Sequence, residues 1–147
     1  MKLNKILRNA LALFAAAFVG CGLIFAVQSL NMIFFPFPDD VDLQNREEMV
    51  AYVESLPIAA LCVVLASYVI GSFCSAWTAA KLGKSHQLIL GLSMGVFYQL
   101  AGIWNFVAIP TPLWMWIAGF FVFIPPAYLG ARLASPSVDS SQGPEVQ

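Results

Sequence analysis

The side chains with the best claim to chemistry are the carboxamides Gln28, Asn31, Gln99 and Asn105, each set inside a long apolar run. A carboxamide is neutral, donates through its nitrogen and accepts through its oxygen. Surrounded by hydrocarbon it bonds to another helix, binds a polar headgroup or lines a narrow polar path. Gln28 and Asn31 are three residues apart and share a helix face. No Asp, Glu, Lys or Arg interrupts these runs. Coupled transporters and proton pumps place ionisable groups there, so the absence argues against ion coupling.

The remaining reactive side chains lack partners in sequence. His86 is the sole histidine, and one imidazole builds no metal site. Cys21, Cys62 and Cys74 have no CxxC spacing and read as small apolar fillers. Ser67, Ser72, Ser75 and Ser93 have no histidine or embedded carboxylate nearby to activate them. Asp39, Asp40, Asp42, Glu47 and Glu48 cluster in one polar segment. Calcium wants about six to eight oxygens on a well-turned loop, and no glycine marks the bend here. Solvated acids are the plain reading; a weak cation site or a docking surface for a partner is the functional one. No catalytic residue, metal site or cofactor is expected, and no basic patch suits nucleic acid.

The elements that carry these residues follow from composition. The chain is 60% hydrophobic and 10% charged, against about 25% charged in soluble domains. Uncharged runs of about 20 residues read as membrane spans. The expected fold is an all-α membrane protein with transmembrane helices near 10–30, 56–80, 87–109 and 113–131. Helices are required because lipid offers backbone groups no partner. Pro110 and Pro112 bound the turn between the last two spans. The first apolar run continues past Cys21, so it reads as a retained span rather than a cleaved leader. Residues 135–147 are Ser, Pro, Gly, Gln and acid, and read as a flexible tail.

All basic residues except Arg46 fall on one side of this arrangement: Lys2, Lys5, Arg8, Lys81, Lys84 and Arg132. That side is expected to be cytoplasmic, with both termini inside and residues 35–55 outside. Within 35–55, Asn45-Arg46-Glu47-Glu48 fits a capping box. Met49, Val50, Val53 and Leu56 then recur at helical spacing, which predicts a short amphipathic helix on the outer surface that enters the second span near Pro57.

Two stretches suggest one hairpin written twice. Residues 31–38 read NMIFFPFP and residues 105–112 read NFVAIPTP. The second and fourth spans end Ala76-Trp77-Thr78-Ala79-Ala80-Lys81-Leu82 and Ala127-Tyr128-Leu129-Gly130-Ala131-Arg132-Leu133. A tandem repeat would relate the halves by a twofold along the membrane normal. The alternative is that membrane exits favour these residue types anyway.

Small residues at four-residue steps mark close helix contacts: Ser67, Gly71, Ser75 and Ala79 in one span, Gly91, Gly95 and Gln99 in another. These stripes are expected to face other helices, within the chain or between subunits. Pro125-Pro126 should kink or break the last span. Trp104, Trp114 and Trp116 are expected as anchors at one interface, Trp77 and Tyr128 at the other.

Leu56-Pro57-Ile58-Ala59-Ala60, Ser67-Tyr68-Val69-Ile70-Gly71-Ser72-Phe73, Ala79-Ala80-Lys81-Leu82 and Ile109-Pro110-Thr111-Pro112-Leu113-Trp114 resemble a set of small bacterial four-span membrane proteins with no assigned activity. The resemblance covers most of the chain outside its tail. It implies a bacterial inner-membrane location and brings no active site. Two functions remain. One is a non-catalytic accessory, assembly or scaffold subunit that packs against another membrane protein or a second copy of itself. The other is a small channel or carrier for a neutral or weakly polar solute, formed as a homo-oligomer.

Overall fold

A computed structural model describes residues 2–38, 42 and 44–135, with side chains from Asn4 onward. Its helices are α1 (Lys2–Phe34), α2 (Arg46–Ser55), α3 (Ile58–Leu82), α4 (Gln87–Ala108) and α5 (Leu113–Ala134), and no strand occurs among the described residues. All except α2 are long and apolar enough to cross a membrane, as a multi-pass helical bundle requires.

The helix boundaries follow local chemistry rather than hydrophobicity. No breaker precedes Pro36, so α1 runs for 33 residues, about 50 Å at 1.5 Å per residue. That exceeds a hydrocarbon core of about 30 Å, and the helix overshoots the expected span at both ends. Pro57 and Pro112 sit at the N-caps of α3 and α5, where a missing amide donor costs little. Gly83 ends α3, its amide bonding Ala79 O at 3.0 Å. Despite Pro125 and Pro126, α5 is continuous. In the turn they disturb, Ser72 Oγ donates to Phe123 O at 2.7 Å.

Helix α3 is the common neighbour. Helix α1 lies along one side of it and α5 along another, while α4 packs on both α3 and α5. Helices α1 and α4 meet only slightly. The small-residue stripe of α3 faces α1. Ser75 Oγ donates to Ala16 O at 2.8 Å. A Cβ on Gly71 would lie 3.0 Å from Gly20 O and against Ile24. Ala16 and Ala79 are fully buried. The α4 stripe faces α5, with Gly91 against Ala131 and Gly95 against Ala127. Both stripes therefore close the bundle within one chain.

The α3–α5 contact has its own register. Ala76, Ala80, Ala127, Ala131 and Ala134 form one buried cluster. The separation of 51 residues that joins Ser72 to Phe123 also relates Ala76 to Ala127 and Ala80 to Ala131. Backbones come so close here that a Cβ on Gly130 would strike the carbonyl oxygen of Phe73. Twofold order does not extend to every pair: α4 packs on α3, while no matching α1–α5 contact is present among the described residues.

Trp104, Trp114, Trp77 and Tyr128 are exposed on the bundle surface. Trp116 is half-buried. Its ring turns in against Phe106, with centroids 5.5 Å apart.

Gly130→Ala should destabilise the bundle by about 1–3 kcal/mol, the usual cost of overpacking a tight contact. Gly22→Ala is the control, since nothing lies within 4 Å of the added methyl. Thermal unfolding in mild detergent checks this: the Gly130 variant melts earlier and the Gly22 variant does not.

Candidate functional site

The ends of the spans diverge next to α2 and leave a cavity of about 310 Å³. Its walls come from the C-terminal turns of α1 and α4 and the N-terminal turns of α3 and α5. Met49, Tyr52 and Val53 of α2 close it, with Leu56 just past the end of that helix. Gln28, Asn31, Tyr68, Asn105 and Thr111 supply its polar lining, and no lining residue is acidic, basic or histidine.

The two Asn-led corners meet in this cavity. Each helix end is built alike: Phe35 N–H donates to Asn31 O, and Ile109 N–H donates to Asn105 O, both at 2.8 Å. The proline pairs that follow stop further helix, which leaves each asparagine side chain one turn inside a helix end. Asn31 Nδ2 donates to Ala60 O at 3.2 Å. Its Oδ1 is then buried with no partner. Thr111 Oγ1, in the Pro-Thr-Pro turn, is in the same condition. Tyr68 OH donates to Asn105 Oδ1 at 3.2 Å, and its ring is held between Phe123 and Phe106 at centroid distances of 5.1 and 6.2 Å. Gln28 Nε2 makes a long 3.4 Å bond to Ser67 Oγ, whose own proton goes to Val64 O at 2.6 Å.

Buried polar atoms without partners are rare and costly. Here they are the amide oxygen of Asn31 and the hydroxyl of Thr111, on two residues that line one neutral cavity. Such a lining suits a molecule with O–H or N–H donors and no net charge.

Helix α2 is positioned by its own acids. Asn45 Oδ1 accepts from Glu47 N–H at 3.1 Å, as the capping pattern predicts. Glu48 differs from the expected box: its carboxylate takes Asn45 Nδ2 at 2.8 Å and Asp42 N–H at 2.7 Å. Asp42 Oδ1 accepts from Gln44 N–H at 2.9 Å. Asp42 and Glu48 thus build the start of the helix, and Asp39 and Asp40 lie outside the described residues. Phe37 packs at a tilt against Tyr52 with centroids 4.4 Å apart, tying the end of α1 to α2. Burial pushes the Tyr52 hydroxyl above its ordinary pKa, so it stays a neutral donor.

A second, more open cleft of about 330 Å³ runs between α1 and α4, where those helices hardly touch. It shares Gln28, Tyr68 and Asn105 with the cavity and continues past Cys21, Phe25 and Tyr98. Tyr98 bridges the gap, its hydroxyl donating to Ala17 O at 2.9 Å while its ring covers Gly20.

Gln99 does not join this group. It lies on the Gly91, Gly95 and Gly102 stripe that packs on α5, lines neither cavity, and its Oε1 is buried without a partner. Tyr68, Thr111, Tyr52 and Tyr98 carry no sequence signal that marks them for a site. A tyrosine in a span is ambiguous between anchor and core, and Thr111 is masked by the prolines around it.

No protein family, characterised protein or solved structure matches this chain.

Thr111→Val should be neutral or stabilising in the isolated protein, since it replaces an unpartnered hydroxyl with a methyl of similar shape. Tyr68→Phe should cost about 1–3 kcal/mol, because Asn105 Oδ1 loses its donor. Thermal unfolding of the two variants side by side tests the assignment: the expected order is Thr111→Val at or above the parent and Tyr68→Phe below it.

Proposed function

We propose that this is a non-catalytic membrane protein that binds a small neutral or weakly polar molecule in the cavity beneath α2, and that the molecule enters from the bilayer through the α1–α4 cleft. One observation carries this reading. Asn31 and Thr111 line a cavity without ionisable groups of ordinary pKa near neutrality, and each carries a buried side-chain oxygen with no partner. A charged ligand would be left without a counter-charge there, at a large desolvation cost. A ligand hydroxyl or amide would give either oxygen the partner it lacks once the side chains that cover it turn aside. The cleft shares three polar residues with the cavity and has an apolar side, which fits a ligand with an apolar portion.

In this reading the chain is an inner-membrane protein of a bacterium with both termini cytoplasmic. Residues 35–55 lie outside, and α2 is an amphipathic lid at that surface. The basic residues around 2–8, 81–84 and 132 support the orientation. The matched helix ends at Asn31 and Asn105, and the shared register of α3 with α5, support a duplicated hairpin that has drifted from symmetry.

Packing away from the cavity supports a role as an accessory subunit. Away from α2, alanine and glycine pack the α3–α4–α5 contact tightly. That favours binding over passage through one chain, and fits a subunit that offers its cavity to a membrane partner or to a second copy.

Purification from native membranes in mild detergent, with stoichiometry of everything retained, separates the two. A stoichiometric protein partner makes the chain a subunit. A homo-oligomer or monomer that carries a neutral amphiphile supports the binding reading. Asn31→Leu with Thr111→Val should abolish that retention, and retention by the double variant counts against the cavity. Retention in the parent should also be flat between about pH 5 and 8, where no lining group titrates.

A further inference from the structure

The other end of the bundle holds a hollow unrelated to the cavity. It measures about 450 Å³ and is lined by Asn4, Lys5, Leu7, Arg8, Leu11 and Lys84. Lys5 and Arg8 lie about one turn apart on α1. Lys84 faces them from the loop between α3 and α4.

This group is held in place rather than merely crowded. Arg8 Nε donates to Leu82 O at 3.2 Å, at the end of α3. That bond fixes the guanidinium beside the hollow while leaving its other N–H groups for a ligand. Asn9 clamps the loop from both sides of its amide: Oδ1 accepts from Lys84 N–H at 3.0 Å, and Nδ2 donates to Ser85 Oγ at 3.0 Å. The backbone at Lys84 is therefore tied to the helix that carries Arg8. All acids among the described residues lie within 42–54, at the opposite end. No described carboxylate is near enough to neutralise the three cations.

Leu7 and Leu11 add the second half of the argument. Both are exposed on α1, at 56% and 61%, and they continue the lining toward the apolar part of the helix. A soluble phosphate has no use for them. A phospholipid has, since its acyl chain must run along apolar helix surface below its headgroup. Basic hollows between spans at a membrane face are a recurring headgroup site.

From these contacts we infer that Lys5, Arg8 and Lys84 bind the phosphate of an anionic phospholipid, with its acyl chain laid along Leu7 and Leu11. The arginine supplies planar donors to the phosphate oxygens, and the lysines supply compact charge on either side. This site does not depend on what the cavity beneath α2 binds.

The full-length protein is reconstituted in nanodiscs of mixed phosphatidylglycerol and phosphatidylethanolamine, re-extracted in mild detergent, and its retained lipid counted by mass spectrometry. The parent should retain phosphatidylglycerol in clear excess over its share of the mixture, and raised salt should erode that excess. Lys5→Gln with Lys84→Gln should lower it about fivefold per lysine removed. Neither side chain takes part in helix packing, so this variant should keep its thermal midpoint. Arg46→Gln, at the other end, should leave the excess unchanged. The inference is overturned if the parent shows no preference for the anionic lipid, or if the double lysine variant retains it as well as the parent. It is overturned too if inorganic phosphate strips the lipid from the parent where chloride at equal ionic strength does not, which would make the ligand a soluble phosphate.

Discussion

Close approach of helix backbones to α3 is the constraint on which the rest of this structure depends. Between apolar helices in lipid there is no gain from hiding hydrocarbon, because the tails outside are as apolar as the side chains within. What remains is van der Waals contact at short range and hydrogen bonds that lipid cannot offer. Small residues make both available. Gly71 and Ser75 let α1 settle until a serine reaches the Ala16 carbonyl. Gly130 admits the backbone of Phe73, and Ser72 reaches Phe123 O. Each contact pairs a missing side chain with a hydroxyl that makes use of the space.

The cavity follows from where that packing stops. The alanine cluster and the glycines of α4 hold the helices together over one half of their length. Toward α2, larger residues take over, Tyr68, Phe106, Phe123 and Met115 among them, and the helices spread. The gap gathers the polar ends of the spans, where each asparagine sits one turn before its helix stops. Helix α2 closes the opening with Val53, which is almost fully buried. Tight packing at one end and a polar space at the other are thus two outcomes of a single gradient in side-chain size along α3, α4 and α5.

Much of the fold was legible because its signals are local. Uncharged runs gave the spans, prolines at 57 and 112 gave the starts of α3 and α5, and glycine spacing gave the faces of closest contact. The candidate site was only partly legible. Gln28, Asn31 and Asn105 stood out as amides in hydrocarbon, and they do converge. Gln99 carries the same signal and is buried in helix packing instead, because residue type does not say which neighbour a face meets. Thr111 and Tyr68 gave no signal of their own; their role depends on a meeting of α1, α3, α4 and α5 that no short window contains. The small-residue stripes were readable as contacts but not as contacts within one chain, since spacing carries no information about partner identity.

The position of α3 as common neighbour also bears on how the molecule is made. The chain emerges in order, and α3 is the second long helix to appear. When it does, the groove for α1 on one of its faces is already complete, and the first pair can form before any later segment exists. Helix α4 then arrives beside a surface that is waiting for it, and α5 closes against both. No helix has to be inserted between two that are already joined, and no early pair has to separate. A bundle arranged around its last helix would leave three earlier spans, two of them amide-bearing, in lipid until synthesis ended. This one can retire its polar groups stepwise, in the same sequence in which the ribosome delivers them.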